Sequence, residues 1–262
     1  MKYSKEFEQL VEDCLPTYIG TGNPNSKILI IGKECAIDAE KDSEHYLRDI
    51  VHNADDWKNN IKNNTSCDNV DNWLDTLNPM YNPLYPYKGQ EYKKRCTLKD
   101  GKIRAETGTS ATWYYYQKLL NLIMNSTENS EISFHEYCFT TEFNQSPGKN
   151  SKEISENDRI NSIKKRLKLF KNDFFQQFPI VIVACGHYVR DYNINLEEIF
   201  NVKWQGSTID IDKNWMNVHY QVSGNPKLLI HTNQLSFNIT DKLLIEIAEK
   251  CTNFSNQYNI NL

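Results

Sequence analysis

Four short polar segments of this chain carry the side-chain types that acid–base chemistry uses. They are Gly32-Lys33-Glu34-Cys35-Ala36, Thr140-Thr141-Glu142-Phe143-Asn144-Gln145, Cys185-Gly186-His187-Tyr188 and His231-Thr232-Asn233-Gln234-Leu235-Ser236. A carboxylate such as Glu34 stabilises developing positive charge and can orient water, and an imidazole such as His231 stabilises a departing anion. One such charge contact at 4 Å is worth about 4 kcal/mol at an effective dielectric near 20, roughly three decades of rate. Each residue also has a plain structural use. Glu34 would serve as a helix cap or a partner for Lys33, and His231 as a satisfied histidine at a strand end. Lys33 could touch a phosphate or lower the pKa of Glu34, or simply be an exposed loop lysine. Cys35 and Cys185 lack an accompanying Cys/His/Asn signature and read as buried thiols. His187 reads as a loop residue near the site.

Each polar segment follows an apolar run: Lys27–Ile31, Tyr137–Phe139, Ile180–Ala184 and Lys227–Ile230. The first, third and fourth runs are too short for helices and rich in Ile, Val or Leu, as buried parallel strands should be; the second, only three residues long, is also read as a strand. Helical spacing marks Glu6–Leu15 and Thr112–Met124, the latter with a stripe of Trp113, Tyr116, Leu119, Leu120 and Ile123. Asn157-Asp158 is the expected cap of a helix running through Ile163, Leu167, Phe170, Phe174 and Phe175 to a stop at Pro179. Asp241–Cys251 is the last helix, capped by Thr240, and Ile209–Val222 alternates like a hairpin. Strands alternating with helices predict an α/β three-layer sandwich around a central, mainly parallel four-stranded sheet. Ligands then bind beyond the carboxyl ends of the strands, where the four polar segments converge. The stretch from about 38 to 107 breaks the rhythm and reads as a long insertion within one domain spanning residues 1–262.

Composition narrows the class. The 262 residues are 39% hydrophobic and 12% aromatic, enough for a sizeable core, and no apolar run is long enough to span a membrane. Seven scattered cysteines, an odd number without a C-x-x-C pair, predict reduced thiols, no structural zinc and a cytoplasmic protein. The charged, interrupted start at Met1–Phe7 reads as a helix rather than a signal peptide.

Within the polar segments the residues resemble the uracil-DNA glycosylase superfamily. Gly32-Lys33-Glu34-Cys35-Ala36 matches the family's first motif, G-Q-D-P-Y-H or G-x-x-P-G, at the glycine and the acid. His231-Thr232-Asn233-Gln234-Leu235-Ser236 matches the last, H-P-S-P-L-S, at His, Leu and Ser. Thr112-Trp113 and Gly186 are weaker matches. The resemblance implies that fold and hydrolysis of an N-glycosidic bond to an unidentified damaged or deaminated base, as in DNA repair, with no metal and no organic cofactor. It assigns Glu34 to the sugar cation and water, and His231 to the leaving base. Gly32, Lys33, Gly186, His187 and Gln234 would line the site, and Leu235 and Ser236 would border the nucleic-acid backbone. Cys35 and Ala36 replace the family's proline and tyrosine, and the base-reading asparagine falls nearest Thr140, with Asn144 four residues on. The alternative is a catalytically inactive protein of this fold that binds nucleic acid or a nucleotide.

DNA, single- or double-stranded, or a nucleotide is therefore the expected partner, with no membrane and no obligatory protein partner. Tyr81, Tyr85 and Tyr87 lie among prolines and could stack on an extruded base, or form a cover over the sheet. Lys88, Lys93, Lys94, Arg95, Lys99, Lys102 and Arg104 outnumber Glu91 and Asp100 by five, and Lys164, Lys165, Arg166, Lys168 and Lys171 form a second cluster. Both suit either a solvated face or a phosphate-tracking surface. The net charge of -4 weighs against a protein devoted to coating DNA.

Overall fold

A computed structural model describes residues 1–13, 18–35, 37, 42–73, 81–98, 100–126, 130–146, 154–221 and 224–262. Ala36, Asn78 to Met80, Lys99 and Val222 lie outside the described residues. The chain opens with helix α1 (Lys5–Asp13), then strands β1 (Thr21–Gly22) and β2 (Ile28–Glu34). The insertion contains α2 (Ser43–Tyr46), a π-turn at Leu47–Val51 and α3 (Asn53–Asn63). It continues into two small ribbons built from β3 (Glu91–Lys94), β4 (Cys96–Thr97), β5 (Ile103–Arg104) and β6 (Gly108–Thr109). Helix α4 (Ala111–Met124) leads to β7 (Cys138–Asn144), and α5 (Glu156–Phe170) and α6 (Asp173–Gln176) lead to β8 (Ile180–Ala184). After α7 (Tyr188–Asp191) and α8 (Leu196–Phe200) come β9 (Lys203–Ile211), β10 (Asn214–Gln221), β11 (Lys227–Thr232) and α9 (Asp241–Tyr258).

The expected four strands are β2, β7, β8 and β11, and they pair in parallel as the centre of a sheet ordered β1-β7-β2-β8-β11-β10-β9. The sheet is larger than the four strands predicted. Antiparallel β1 extends one side, and the β9–β10 hairpin extends the other, making seven strands. The hairpin starts at Lys203, earlier than its alternating pattern, because most of β9 is exposed and carries little apolar signal.

Side chains alternate across each parallel strand, as a pleated strand requires. Leu29, Ile31, Phe139, Val181, Val183 and Leu229 face a core with α1, α3, α5, α6 and α8. Ile28, Ile30, Cys138, Ile180, Ile182, Leu228 and Ile230 face the other core with α4 and α9. Helices therefore cover both faces. Each fully buried Leu, Ile or Phe contributes about 1.5–3 kcal/mol relative to exposure.

Local signals set the helix ends. The Thr240 hydroxyl accepts from the Leu243 amide, as its type predicts. α9 then runs to Tyr258, past the expected Cys251, because Phe254 continues its buried stripe. The cap of α5 is Ser155, which accepts from the Asp158 amide, rather than Asn157-Asp158. Asn172 caps a separate α6, so the expected long helix breaks after Phe170. Among the described residues, no helix is long and apolar enough to cross a membrane.

Candidate active site

Glu34 is the last residue of β2 and pairs in register with Asn144, the last residue of β7. The chain places β7 on one side of β2 and β8 on the other, so strand order reverses at β2, the place where open α/β sheets hold ligands. The Glu34 carboxylate, with its side chain 7% exposed, accepts a hydrogen bond from the Tyr188 hydroxyl at 2.5 Å. The Asn144 amide donates to the same oxygen at 3.4 Å, and the Lys33 ammonium lies 3.7 Å from the other. Lys33 also sits 4.9 Å above the Tyr188 ring. Burial, and then Glu34 itself, push the Tyr188 phenol upward, so it keeps its proton and donates. A hydroxyl, an amide and an ammonium thus all favour the ionised form of Glu34.

Glu142 is a second carboxyl that the sequence reading left among the polar residues after a short strand. β7 continues to Asn144 instead of ending at Phe139, which puts Glu142 opposite Gly32 and on the same side of the strand as Asn144. A Cβ at position 32 would collide with the Glu142 carboxylate, so the absent side chain of Gly32 makes the notch this carboxyl fills. Its Oε2 is sealed from solvent and has no hydrogen-bond partner among the described residues. Burial pushes the Glu142 carboxyl up to about 8; the Arg166 guanidinium opposes this and Glu34 adds to it. Period-two spacing with Asn144, together with a glycine on the neighbouring strand, was the signal that could have found it.

His231, near the end of β11, lies opposite Val183 of β8, which also faces Ile31 of β2. Two strand spacings across and three residues along separate the α-carbons of Glu34 and His231 by roughly 14 Å. Nε2 of His231 lies 2.8 Å from the Gly186 carbonyl, which can only accept, so Nε2 carries the proton. Burial pushes the imidazole down to about 4, so the ring is neutral at pH 7. It packs edge-on to Trp215, and the exposed His187 stacks on Trp215 at 5.6 Å. The ring also borders a hollow of about 330 Å³ shared with Trp204, Asn217 and His219. Gly186 adopts φ +60°, which suits a residue without a Cβ. One short segment reaches both residues, through the Gly186 carbonyl to His231 and through the Tyr188 hydroxyl to Glu34.

The other expected site residues divide. Asn144 is at Glu34, fully buried, and its carbonyl oxygen also accepts from the Ser146 amide. Thr140 is mid-strand, and its hydroxyl pairs with that of Thr21 at 2.7 Å. Gln234 lies beside Gly186, while Leu235 is buried in the core with α9. Ser236 donates its amide to Gln234, and the next residue, Phe237, is 76% exposed. Tyr85 is buried and donates its hydroxyl to the Ile132 carbonyl at 2.8 Å. Tyr87 donates to Asp49 at 2.5 Å, beside His45 and Arg48, and packs against Trp73, Tyr81 and Trp113. Both tyrosines belong to an aromatic cover with satisfied hydroxyls, so stacking on an open base does not describe their placement.

The basic clusters also sort by burial. Lys88 donates to the Cys67 and Val70 carbonyls. Arg166 is fully buried and donates to the Tyr18, Ile19 and Glu142 carbonyls and the Thr141 hydroxyl. Lys93, Arg95, Lys102 and Arg104 remain exposed, as do Lys164, Lys165, Lys168 and Lys171. The chain matches no known protein-family model and no curated protein.

Proposed function

We propose that the residues at the ends of β2, β7 and β8 hydrolyse an N-glycosidic bond, releasing a base from DNA in the manner of a uracil-DNA glycosylase-like enzyme. The observation that carries this reading is the Glu34 carboxylate, held by Tyr188, Asn144 and Lys33 at the strand-order reversal. Cleavage of the bond leaves positive charge on the sugar, and a fixed, water-poor carboxylate is worth most at that moment. The same oxygen atoms orient the attacking water. His231 contributes as a neutral donor: its Nε2–H would turn from the Gly186 carbonyl toward the departing base. Asn144 has its carboxamide beside Glu34, whereas Thr140 lies mid-strand against Thr21.

A second reading is supported by one observation: the Thr140 hydroxyl and the His231 N–H already have partners within the protein. A protein that binds nucleic acid or a nucleotide without cleaving it needs neither group. Base release from single- and double-stranded oligonucleotides carrying uracil, hypoxanthine, xanthine or alkylated bases separates the two. Release that is lost in Glu34→Gln supports hydrolysis. Silence across that panel, with salt-dependent binding that survives Glu34→Gln combined with His231→Ala, supports binding alone.

A further inference from the structure

We propose that Glu142 is the proton donor to the departing base, so that Glu142 and Glu34 form an acid–base pair whose arrangement Gly32 sets. This rests on the hydrolytic reading of the same strand ends. The two residues are diagonal neighbours on adjacent parallel strands, since Glu142 pairs with Gly32 and Asn144 with Glu34. Strand geometry puts their α-carbons roughly 8 Å apart, within reach of one scissile bond from two long side chains.

Their surroundings differ in the direction the roles require. Glu34 has three donors around it. Glu142 lies in a notch that only a glycine leaves open, with one oxygen sealed and no donor to it among the described residues. Among the described residues, the titratable groups close enough to act electrostatically on Glu142 are Glu34, Arg166, Tyr18, Cys35, Tyr116 and Cys185. Burial raises both phenols and both thiols, so these four are uncharged at pH 7. Among the described residues the charged groups left are Arg166, which donates to backbone carbonyls and the Thr141 hydroxyl, and Glu34. Burial and that like charge keep the proton on Glu142. A carboxyl that keeps its proton beside one ringed by donors is an arrangement that suits an acid and its partner base.

The step balances within this pair and one water. The bond from the sugar carbon to the base nitrogen breaks, and its electron pair leaves with the base. The Glu142 proton moves to the base as that charge develops. The water oxygen bonds to the sugar carbon and its proton passes to Glu34. Solvent then returns a proton to Glu142 and removes one from Glu34. His231 then has only to offer a hydrogen bond to the base, and its neutral ring, a weak acid, need not give up its proton.

The test uses two leaving groups in single-turnover assays of the full chain. Uracil or hypoxanthine departs as an anion and needs a proton. An N7-alkylated purine carries a positive charge and departs neutral. Glu142→Gln, which keeps the shape of the neutral acid, is expected to slow release of the first kind by 10²–10⁴-fold, the usual share of general acid catalysis. It should leave the second kind within a few-fold and abolish the alkaline fall in rate centred near pH 8. Gly32→Ala, which displaces the carboxyl, should show the same selectivity. Equal loss with both leaving groups, or no loss with either, overturns the proposal while leaving the hydrolytic reading intact. Failure of the folded wild type to release any base overturns both.

Discussion

Glu142 and His231 titrate in opposite senses, and their signs can be separated by pH. A carboxyl raised from its ordinary 4.5 to about 8 binds its proton more tightly in the folded state. Its contribution to stability is therefore full below pH 4.5 and is lost as pH rises to about 8. At about 1.4 kcal/mol per unit, the loss over that window is several kcal/mol. The imidazole of His231, lowered from 6.5 to about 4, behaves in reverse: its contribution is present above pH 6.5 and is lost as pH falls to about 4. Thermal melting of the wild type, Glu142→Gln and His231→Gln between pH 4 and 9 checks both. Between pH 4.5 and 6.5 the two effects offset in the wild type; Glu142→Gln should remove the fall in stability as pH rises from 4.5 to 8, and His231→Gln should remove the opposing fall as pH drops from 6.5 to 4. Unchanged slopes in both variants would contradict the burial assigned to these groups.

Among the elements, the β2–β7 pair positions the site, and Gly32 is where an added side chain would meet the Glu142 carboxyl. Any Cβ there meets the Glu142 carboxyl and must displace it or spread the strands. Gly32→Ala should cost about 1–3 kcal/mol, the usual range for overpacking a filled site, measured by urea unfolding. The double variant with Glu142→Ala should recover much of that loss, because the obstructing carboxyl is gone. Simple addition of the two losses would contradict the notch. Much of this framework was legible in the sequence. The apolar runs at Ile28–Ile31, Ile180–Ala184 and Leu228–Ile230 are the centres of three parallel strands, because burial on both faces leaves continuous Ile, Val and Leu. Glu34 was legible as a polar residue following such a run, whereas Asn144 entered only through the resemblance, four residues beyond Thr140. Glu142 was not legible. Its strand alternates Thr140, Thr141 and Glu142 with Phe139 and Phe143, so the apolar run looked shorter than the strand. The roles offered to Tyr85 and Tyr87 were also beyond sequence, since only their partners Ile132, Asp49 and Arg48 reveal that they are packed.

At the scale of the whole molecule, charge decides what the protein can approach. The net charge of -4 gives no general attraction to a polyanion. Exposed cations instead collect on the small ribbons, at Lys93, Arg95, Lys102 and Arg104, and along α5. Lys93 is itself paired with Glu91 at 2.6 Å, and Lys102 lies 3.6 Å from Asp100, so Arg95 and Arg104 are the better phosphate contacts. Under the proposed function, Arg95→Gln combined with Arg104→Gln should weaken DNA binding and reduce the salt dependence by about 0.9 per lost duplex phosphate contact. Titrations at several salt concentrations measure that slope directly, and an unchanged slope would move the nucleic-acid path away from the ribbons.

The most direct measurement of the central claim is base release by the full chain from the lesion panel, wild type beside Glu34→Gln. The account predicts release by the wild type and a loss of at least about a hundredfold in the variant, since Glu34 stabilises charge that exists only in the transition state. Wild-type release that persists unchanged in Glu34→Gln, or a folded wild type that releases no base from any oligonucleotide, would contradict it.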